Sequence, residues 1–247
     1  MEGSLSDMLT SDGTDLYMYQ LRFAPDLTVQ EAPRMTVLGA RKVGLHLMST
    51  RGFVDKTWFD RTYWSYSRVW PGYYFSNRGP KSGQILVFDE EITYGVKVFQ
   101  KHEGPWWDGG LSPHFIPGKM DYELFADDND NEPVLEKPKR EKGPGYVRKN
   151  PPRWRRGVPI RAMGMVLAGD KLALAGPPNI VPKDDPLAAF EGRRGTLLSV
   201  VSASDGAQLS RAELAHVPVF DGLICAGNKL YMSTKSGHVV CLGTRDK

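Results

Sequence analysis

The densest group of residues that could bind a ligand lies at positions 58–64, where aromatic side chains surround an adjacent acid and base. Alternate residues of a strand share a face, so Trp58 and Asp60 would line one side and Arg61 the other. Aromatic rings stack on a sugar, another ring or a peptide, and charged groups direct hydrogen bonds. This pattern predicts ligand binding by Trp58, Asp60, Arg61 and Trp64. The alternative is aromatic packing between sheets, with Asp60 and Arg61 as a local polar pair.

An acidic run and the histidines are the other groups that could hold a metal ion. The run from Asp127 to Glu132 reads Asp-Asp-Asn-Asp-Asn-Glu and is rich in the hard oxygen ligands that calcium prefers. It lacks the fixed spacing and the glycine of a known calcium loop, so a solvated acidic turn is the favoured interpretation. The histidines do not cluster at metal-ligand spacing, although two of them flank Trp106, Trp107 and Asp108. They are His46, His102, His114, His216 and His238.

The sequence lacks the common local motifs of nucleophilic, phosphate-binding and zinc-dependent sites. It holds no Gly-x-Ser-x-Gly elbow, no phosphate-binding loop and no His-Glu-x-x-His. Cys225 and Cys241 form neither a disulfide framework nor a zinc-binding pattern. The sequence therefore favours a non-catalytic binding module with no cofactor and no metal. An enzyme stays an alternative, because a site assembled from several sheets would leave no local motif.

Repeated β-hairpins are the elements that would position these residues. The strings MVLAGDKLAL at 165–174 and LICAGNKLYM at 223–232 are nearly the same. Gly169-Asp170 and Gly227-Asn228 suit two-residue turns, because glycine readily takes the positive φ that such turns need. Each string therefore predicts two antiparallel strands joined by a tight turn.

Third and fourth strand-like runs follow the hairpins, and repeated groups of four antiparallel strands are typical of propeller blades. The predicted fold is an all-β propeller over residues 1–247, with a short helical turn near 186–191. Its four blades, the last with only three strands, would span about 6–68, 84–160, 161–214 and 217–242. Insertions would lie at about 101–119 and 127–152.

The number of blades bears on whether this chain can close a propeller ring by itself. Propellers have about four to eight blades, and each blade packs on two neighbours. The chain supplies fewer than four complete blades. Either its amino-terminal residues complete the last blade, or missing blades or another subunit complete a larger ring. The second interpretation is favoured, because an open half-ring would expose apolar faces.

Charge and hydropathy exclude some classes of partner. The net charge of +3 is too small to indicate nucleic-acid binding by the whole chain. Basic residues concentrate in a Pro/Gly-rich stretch from Lys137 to Arg156, which favours a solvated connecting loop over a site for an anionic polymer. No apolar run is long enough to cross a membrane, and the first residues lack the pattern of a signal peptide.

The carboxy-terminal part of the sequence resembles a known repeat. Ser204–Leu209 reads SDGAQL, and residues 221–242 read DGLICAGNKLYMSTKSGHVVCL. These strings resemble the pyrroloquinoline-quinone-type (PQQ-like) propeller repeat, and the resemblance covers about Arg161 to Leu242. The segment His46 to Trp64 is similar to one in large bacterial members of the group, which are mostly exported proteins of unassigned function. The resemblance implies a propeller fold and export.

Two departures limit what the resemblance implies. The repeat usually carries a tryptophan in its fourth strand that docks between blades, and here the aligned residue is Ser210. Quinone dehydrogenases of this fold use adjacent cysteines and a calcium site, but Cys225 and Cys241 are not adjacent. No quinone cofactor is therefore expected. The expected function is a binding or scaffold module with an unidentified ligand or protein partner, and a quinoprotein or carbohydrate-active enzyme is the alternative.

Overall fold

The computed structural model of the chain describes residues 9–18, 21–30, 46–49, 64–68, 81–98, 115–136 and 145–243. Within these ranges the chain forms strands and turns and contains no helix. It divides into two compact units. Unit 1 holds Met1–His114 and Asp127–Pro152, and unit 2 holds Phe115–Ala126 and Arg153–Lys247. The all-β part of the predicted fold class is confirmed.

The strands are short, with lengths from two to nine residues. In chain order they are β1 (Thr10–Ser11), β2 (Leu16–Met18), β3 (Leu21–Phe23), β4 (His46–Ser49), β5 (Trp64–Ser67), β6 (Ser82–Gly83), β7 (Ile85–Phe88), β8 (Ile92–Lys97), β9 (Tyr122–Asp128), β10 (Val134–Glu136), β11 (Gly145–Val147), β12 (Trp154–Val158), β13 (Gly164–Ala168), β14 (Lys171–Gly176), β15 (Thr196–Ser202), β16 (Gln208–Leu214), β17 (Pro218–Ala226), β18 (Lys229–Thr234) and β19 (Val239–Leu242).

Five small sheets have three or four strands each, and one further pair of strands forms a two-stranded ribbon. Their orders are β1-β2-β3, β4-β5-β6, β12-β9-β8-β7, β13-β14-β15-β16, β17-β18-β19 and, for the ribbon, β10-β11. Neighbours in the sheet are mostly neighbours in the chain, which is the arrangement that short turns between antiparallel strands produce.

The two hairpins that the sequence predicts most strongly are present. One joins β13 to β14 through Gly169-Asp170, and the other joins β17 to β18 through Gly227-Asn228. Gly169 has a φ of 60°, and Gly227 and Asn228 have φ values of 55° and 59°. A single positive φ at the first turn position is typical of a type II′ turn, and two are typical of a type I′ turn. These turns also fix the register of each hairpin.

Alternation of side chains in β14 gives the sheet β13–β16 two different faces. Leu172 and Leu174 point to one face and are fully buried. Ala173 and Ala175 point to the other face, where they pack in one apolar cluster with residues of the next sheet. Small residues on this second face let another sheet approach closely. The alternation of leucine and alanine therefore decides that the alanine face packs against the next sheet.

The sheet β17–β19 covers that alanine face. Leu223 and Met232 are the buried residues of this sheet in the shared cluster. At Gly164 in β13 an added Cβ would lie 3.0 Å from the Leu223 Cβ, so a side chain there would push the sheets apart. The backbone N–H of Asp221 also donates to the Met163 carbonyl oxygen over 2.7 Å. Apolar packing and a backbone hydrogen bond together join the two sheets.

A tryptophan in β12, the fourth strand along the chain of the sheet β12-β9-β8-β7, forms a hydrogen bond to the sheet β13–β16. Trp154 lies in β12, and its indole Nε1 donates to the Ala203 carbonyl oxygen over 2.9 Å. Ala203 follows β15, and nearby Gly206 has a φ of 71°. An added Cβ at Gly206 would lie 2.7 Å from the Trp154 ring, so only glycine leaves room for the indole there.

The structure differs from the sequence-based prediction at two places. The strands expected in the blade 6–68 belong to two sheets, because β1 and β2 pair with β3, whereas β4 and β5 pair with β6. Residues 186–191 form hydrogen-bonded turns rather than a helix, with the Glu191 N–H bonded to the Leu187 carbonyl oxygen over 2.9 Å. The remaining predicted strands in 161–242 are present, and their ends agree within about two residues, except that β17 begins at Pro218 and not at Leu223.

Truncation of a buried leucine tests the packing of the sheet β13–β16. Leu174 is 0% exposed, whereas Leu209 on the outer strand β16 is 52% exposed. We expect Leu174→Ala to lower the free energy of unfolding by about 3 kcal/mol, since it removes buried methyl groups and leaves a cavity. Leu209→Ala should change it by less than about 0.5 kcal/mol. Urea unfolding of both variants measures the difference, and equal effects would contradict this assignment of the core.

Candidate functional site

The predicted ligand-binding residues are only partly within the described chain. Trp58, Asp60 and Arg61 lie outside the described residues. Trp64 opens β5, where its backbone is opposite Ser49 and Gly83, and its side chain is half-buried. Ligand binding by these four residues therefore stays a prediction.

Aromatic packing does occur next to Trp64. Tyr66, which shares a face of β5 with Trp64, stacks on Phe88 of β7 with ring centroids 4.0 Å apart and planes inclined by 12°. Burial raises the pKa of Tyr66. This stack joins strands β5 and β7 within unit 1, which is the kind of contact that the alternative interpretation of the aromatic segment expects.

The acidic run Asp127 to Glu132 is not the solvated turn that the sequence suggested. Asp127 is fully buried, and Asn129 and Asn131 are nearly so. Asp127 forms an ion pair with Arg148. Asn131 donates through Nδ2 to Asp127 Oδ1 over 2.7 Å and to the Asn150 carbonyl oxygen over 3.0 Å. The turn folds inward because these polar groups find protein partners in place of water.

A buried lysine completes the polar cluster around this run. Lys81 Nζ donates to the Asn129 carbonyl oxygen over 2.7 Å and to Glu132 Oε1 over 3.2 Å. The other carboxylate oxygen of Glu132 accepts from the Ser67 hydroxyl at 2.8 Å and from the Arg68 backbone N–H at 3.1 Å. Burial lowers the pKa of Lys81, and the charge of Glu132 acts in the opposite direction. The oxygens of this run are therefore engaged in holding strands together.

Part of the basic stretch, residues 137–144, lies outside the described residues. Its described part, residues 145–156, is less free to bind an anion than its composition suggests. Arg148 is buried against Asp127. Arg155 in β12 has its guanidinium 3.9 Å from a Glu123 carboxylate oxygen. Arg156 lines a shallow cavity of about 210 Å³ together with Arg211 of β16. Two of these basic side chains thus face acidic partners within the protein.

The outer face of the sheet β17–β19 is apolar and exposed. Ile224, Tyr231 and Cys241 lie opposite one another across the three strands. Ile224 is 60% exposed, and Val239 on the same face is 70% exposed. The opposite face of the same three strands carries Leu223 and Met232 of the buried cluster. This sheet is therefore apolar on both faces, and one face lacks cover within the part of the chain that the structure describes.

Side chains with polar chemistry meet at one end of this sheet. The Ser236 hydroxyl lies 3.2 Å from His216 Nδ1 and 3.1 Å from His238 Nδ1. The sequence did not indicate this cluster, because His216 and Ser236 are 20 residues apart and come together only through sheet pairing. No group of three or more His, Cys, Asp or Glu side chains is placed to hold a metal ion among the described residues.

Comparison with known proteins gives little further information. No family model and no curated protein matches the sequence. The chain is similar to the crystal structure of a computationally designed protein, Ika8, with a TM-score of 0.34 and 13% identity over 98% of this chain and 72% of that chain. A similarity this low carries no argument about the fold or the function.

Within the described ranges, no helix is long and apolar enough to span a bilayer.

Removal of one charge from the buried polar cluster tests its contribution to stability. Lys81 has a side chain that is 0% exposed and is paired with Glu132. We expect Glu132→Gln to lower the free energy of unfolding by about 3 kcal/mol, since the ammonium group stays buried without its counter-charge. Chemical denaturation measures the change. The same substitution at the exposed residue Glu90 is the matched control and should have little effect.

The double variant Lys81→Met/Glu132→Gln separates charge from packing. It removes both charges, so its stability should exceed that of Glu132→Gln alone. If the double variant were less stable than Glu132→Gln, the buried charge would not be the source of the loss.

Proposed function

We propose that this chain is a PQQ-like propeller module without catalytic activity, and that it binds a second copy of itself through the outer face of β17–β19. The observation that carries the proposal is a largely apolar face, formed by the exposed residues Ile224, Val239 and Cys241 and the half-buried Tyr231, with Ser233 opposite Val239. Export and ligand binding by Trp58, Asp60, Arg61 and Trp64 belong to the same proposal, which takes them from the sequence alone.

The construction of unit 2 supports a propeller-type repeat. Its sheets are antiparallel meanders, and β13–β16 packs face to face on β17–β19 through one apolar cluster. Trp154 supports the repeat in a second way, since it lies in the fourth strand of its sheet and bonds to the turn after β15 of the next sheet. A docking tryptophan in strand four is what the resemblance implies, although the alignment at Ser210 did not reveal it.

The two faces of β17–β19 support its role in docking. The inner face packs on another sheet, and the outer face offers residues of the same apolar kind. Exposed apolar residues that adjoin one another on one face are typical of an interaction surface. The charged residue on this face is Lys229, which lies at its edge next to the turn.

Continuity with the packing inside unit 2 argues for another sheet as the occupant. The existing interface shows that this three-stranded sheet accepts a flat apolar sheet against its side chains. A second copy brings the same face, and two copies can meet about a two-fold axis without a charged pair at the centre. None of Ile224, Tyr231, Val239 and Cys241 carries an acidic group. Association of two copies through this face therefore depends on the burial of apolar surface.

Lysine substitution on the outer face tests the proposed function. We expect the wild-type chain to form dimers in light scattering at high concentration. Ile224→Lys and Val239→Lys should each raise the dimer dissociation constant about a hundredfold, since a charge would have to lose its water in the interface. Leu187→Lys, at a residue that is 57% exposed and outside this sheet, is the control and should leave the dimer intact.

Two results would contradict this proposal. One is a wild-type chain that remains monomeric up to its limit of solubility. The other is a dimer that Ile224→Lys and Val239→Lys leave unchanged, which would place the interface elsewhere. Melting temperatures equal to that of the wild type would show that neither lysine acts by unfolding the chain.

A further inference from the structure

A pair of imidazoles converges on one hydroxyl group at the end of the sheet β17–β19. His216 precedes β17, and Ser236 and His238 belong to the turn between β18 and β19. Both histidines approach Ser236 Oγ through the same ring atom, Nδ1, at 3.2 and 3.1 Å. Their ring centroids are 5.5 Å apart, and all three side chains are exposed.

Backbone hydrogen bonds hold the two histidines in place. The Lys235 N–H donates to the carbonyl oxygen of Val217, the neighbour of His216, over 2.8 Å. The Thr234 N–H donates to the His238 carbonyl oxygen over 2.9 Å. The His238 N–H in turn donates to the Thr234 hydroxyl oxygen over 3.1 Å. Both histidines are therefore tied to the end of the same strand, β18, and their separation is set by the fold.

The Ser236 hydroxyl is the group that the two Nδ1 atoms share. It has one hydrogen, so it can donate to only one of the two Nδ1 atoms at a time. The Thr234 hydroxyl, 3.0 Å from Ser236 Oγ, also lies 3.0 Å from the His238 carbonyl oxygen, to which it donates. When both rings carry their hydrogen on Nε2, both Nδ1 lone pairs are directed at the same point, where a group that accepts both of them can bind.

We propose that His216 and His238 bind a divalent transition-metal ion through their Nδ1 atoms. Imidazole nitrogen is a preferred ligand of Zn²⁺, Cu²⁺ and Ni²⁺, and Cu²⁺ binds most tightly in the general order of affinities. Ser236 Oγ and solvent complete the coordination. The site is independent of the docking face, since it uses the end of the sheet and not Ile224 or Tyr231.

The distances suit such an ion. Nitrogen–metal bonds of about 2.1 Å place two nitrogens roughly 3.4 Å apart in tetrahedral geometry. The ring centroids lie 5.5 Å apart, and both Nδ1 atoms face Ser236 Oγ at 3.2 and 3.1 Å, so the two nitrogens converge on one point. Exposure leaves space for the side chains to adjust and for the water molecules that fill the remaining positions.

Titration of the purified chain with Cu²⁺ and with Zn²⁺ tests the proposal. Calorimetry should show one ion per chain. His216→Ala and His238→Ala should each weaken binding of the ion by about tenfold or more. Once one imidazole holds the ion, the second one binds it within the same chain, and either substitution removes this second bond. His46→Ala removes a histidine of β4 in unit 1, outside the pair, and is the matched control, which should leave the affinity unchanged.

A spectroscopic measurement makes the test specific for the two imidazoles. The electron paramagnetic resonance spectrum of the Cu²⁺ complex should show coupling to two nitrogens in the wild type and to one in either variant. Affinity and spectrum that stay the same in the double variant His216→Ala/His238→Ala would overturn the proposal. So would a wild-type chain that binds neither ion, and both results are distinct from the loss of the dimer.

Discussion

Packing of one sheet against another across the alternating leucine and alanine faces of β14 is the constraint on which unit 2 depends. Ala173 and Ala175 leave room for Leu223 and Met232, and Gly164 allows β13 to approach Leu223 closely. Because strands alternate their side chains with a period of two, this choice also decides which residues of β17–β19 point away. The exposed face is a consequence of that packing, whereas the histidine pair depends on strand pairing within β17–β19.

Unit 1 is organised by a different kind of interaction. The turn after β9 is held by the buried charges of Lys81 and Asp127 and by the amide groups of Asn129 and Asn131. Such a cluster stabilises the fold only while all its members are paired, since an unpaired buried charge is strongly unfavourable. It therefore fixes one conformation of the turn, in contrast to the apolar packing of unit 2, which depends on shape.

The predictions about turns and the prediction about the acidic run differ in the distance along the chain between the residues concerned. Gly169-Asp170 and Gly227-Asn228 indicated their turns because backbone preference is local. The acidic run was interpreted wrongly as solvated, because its partners Lys81 and Arg148 are far from it in sequence. The asparagines within the run were the available signal, since amides satisfy buried backbone and carboxylate groups well. Trp154 was missed as a docking residue because its partner follows β15 of another sheet.

The sequence by itself determined the class of structure, the hairpins and most strands between 161 and 242, because turn chemistry and side-chain alternation act between neighbours in the chain. It also indicated an aromatic segment around Trp64, whose packing partner Phe88 it did not identify. Only the tertiary structure decided which polar residues are buried, which face of β17–β19 is open, and that His216 meets His238. These depend on contacts between residues distant in sequence, whose geometry exists only once the sheets have packed.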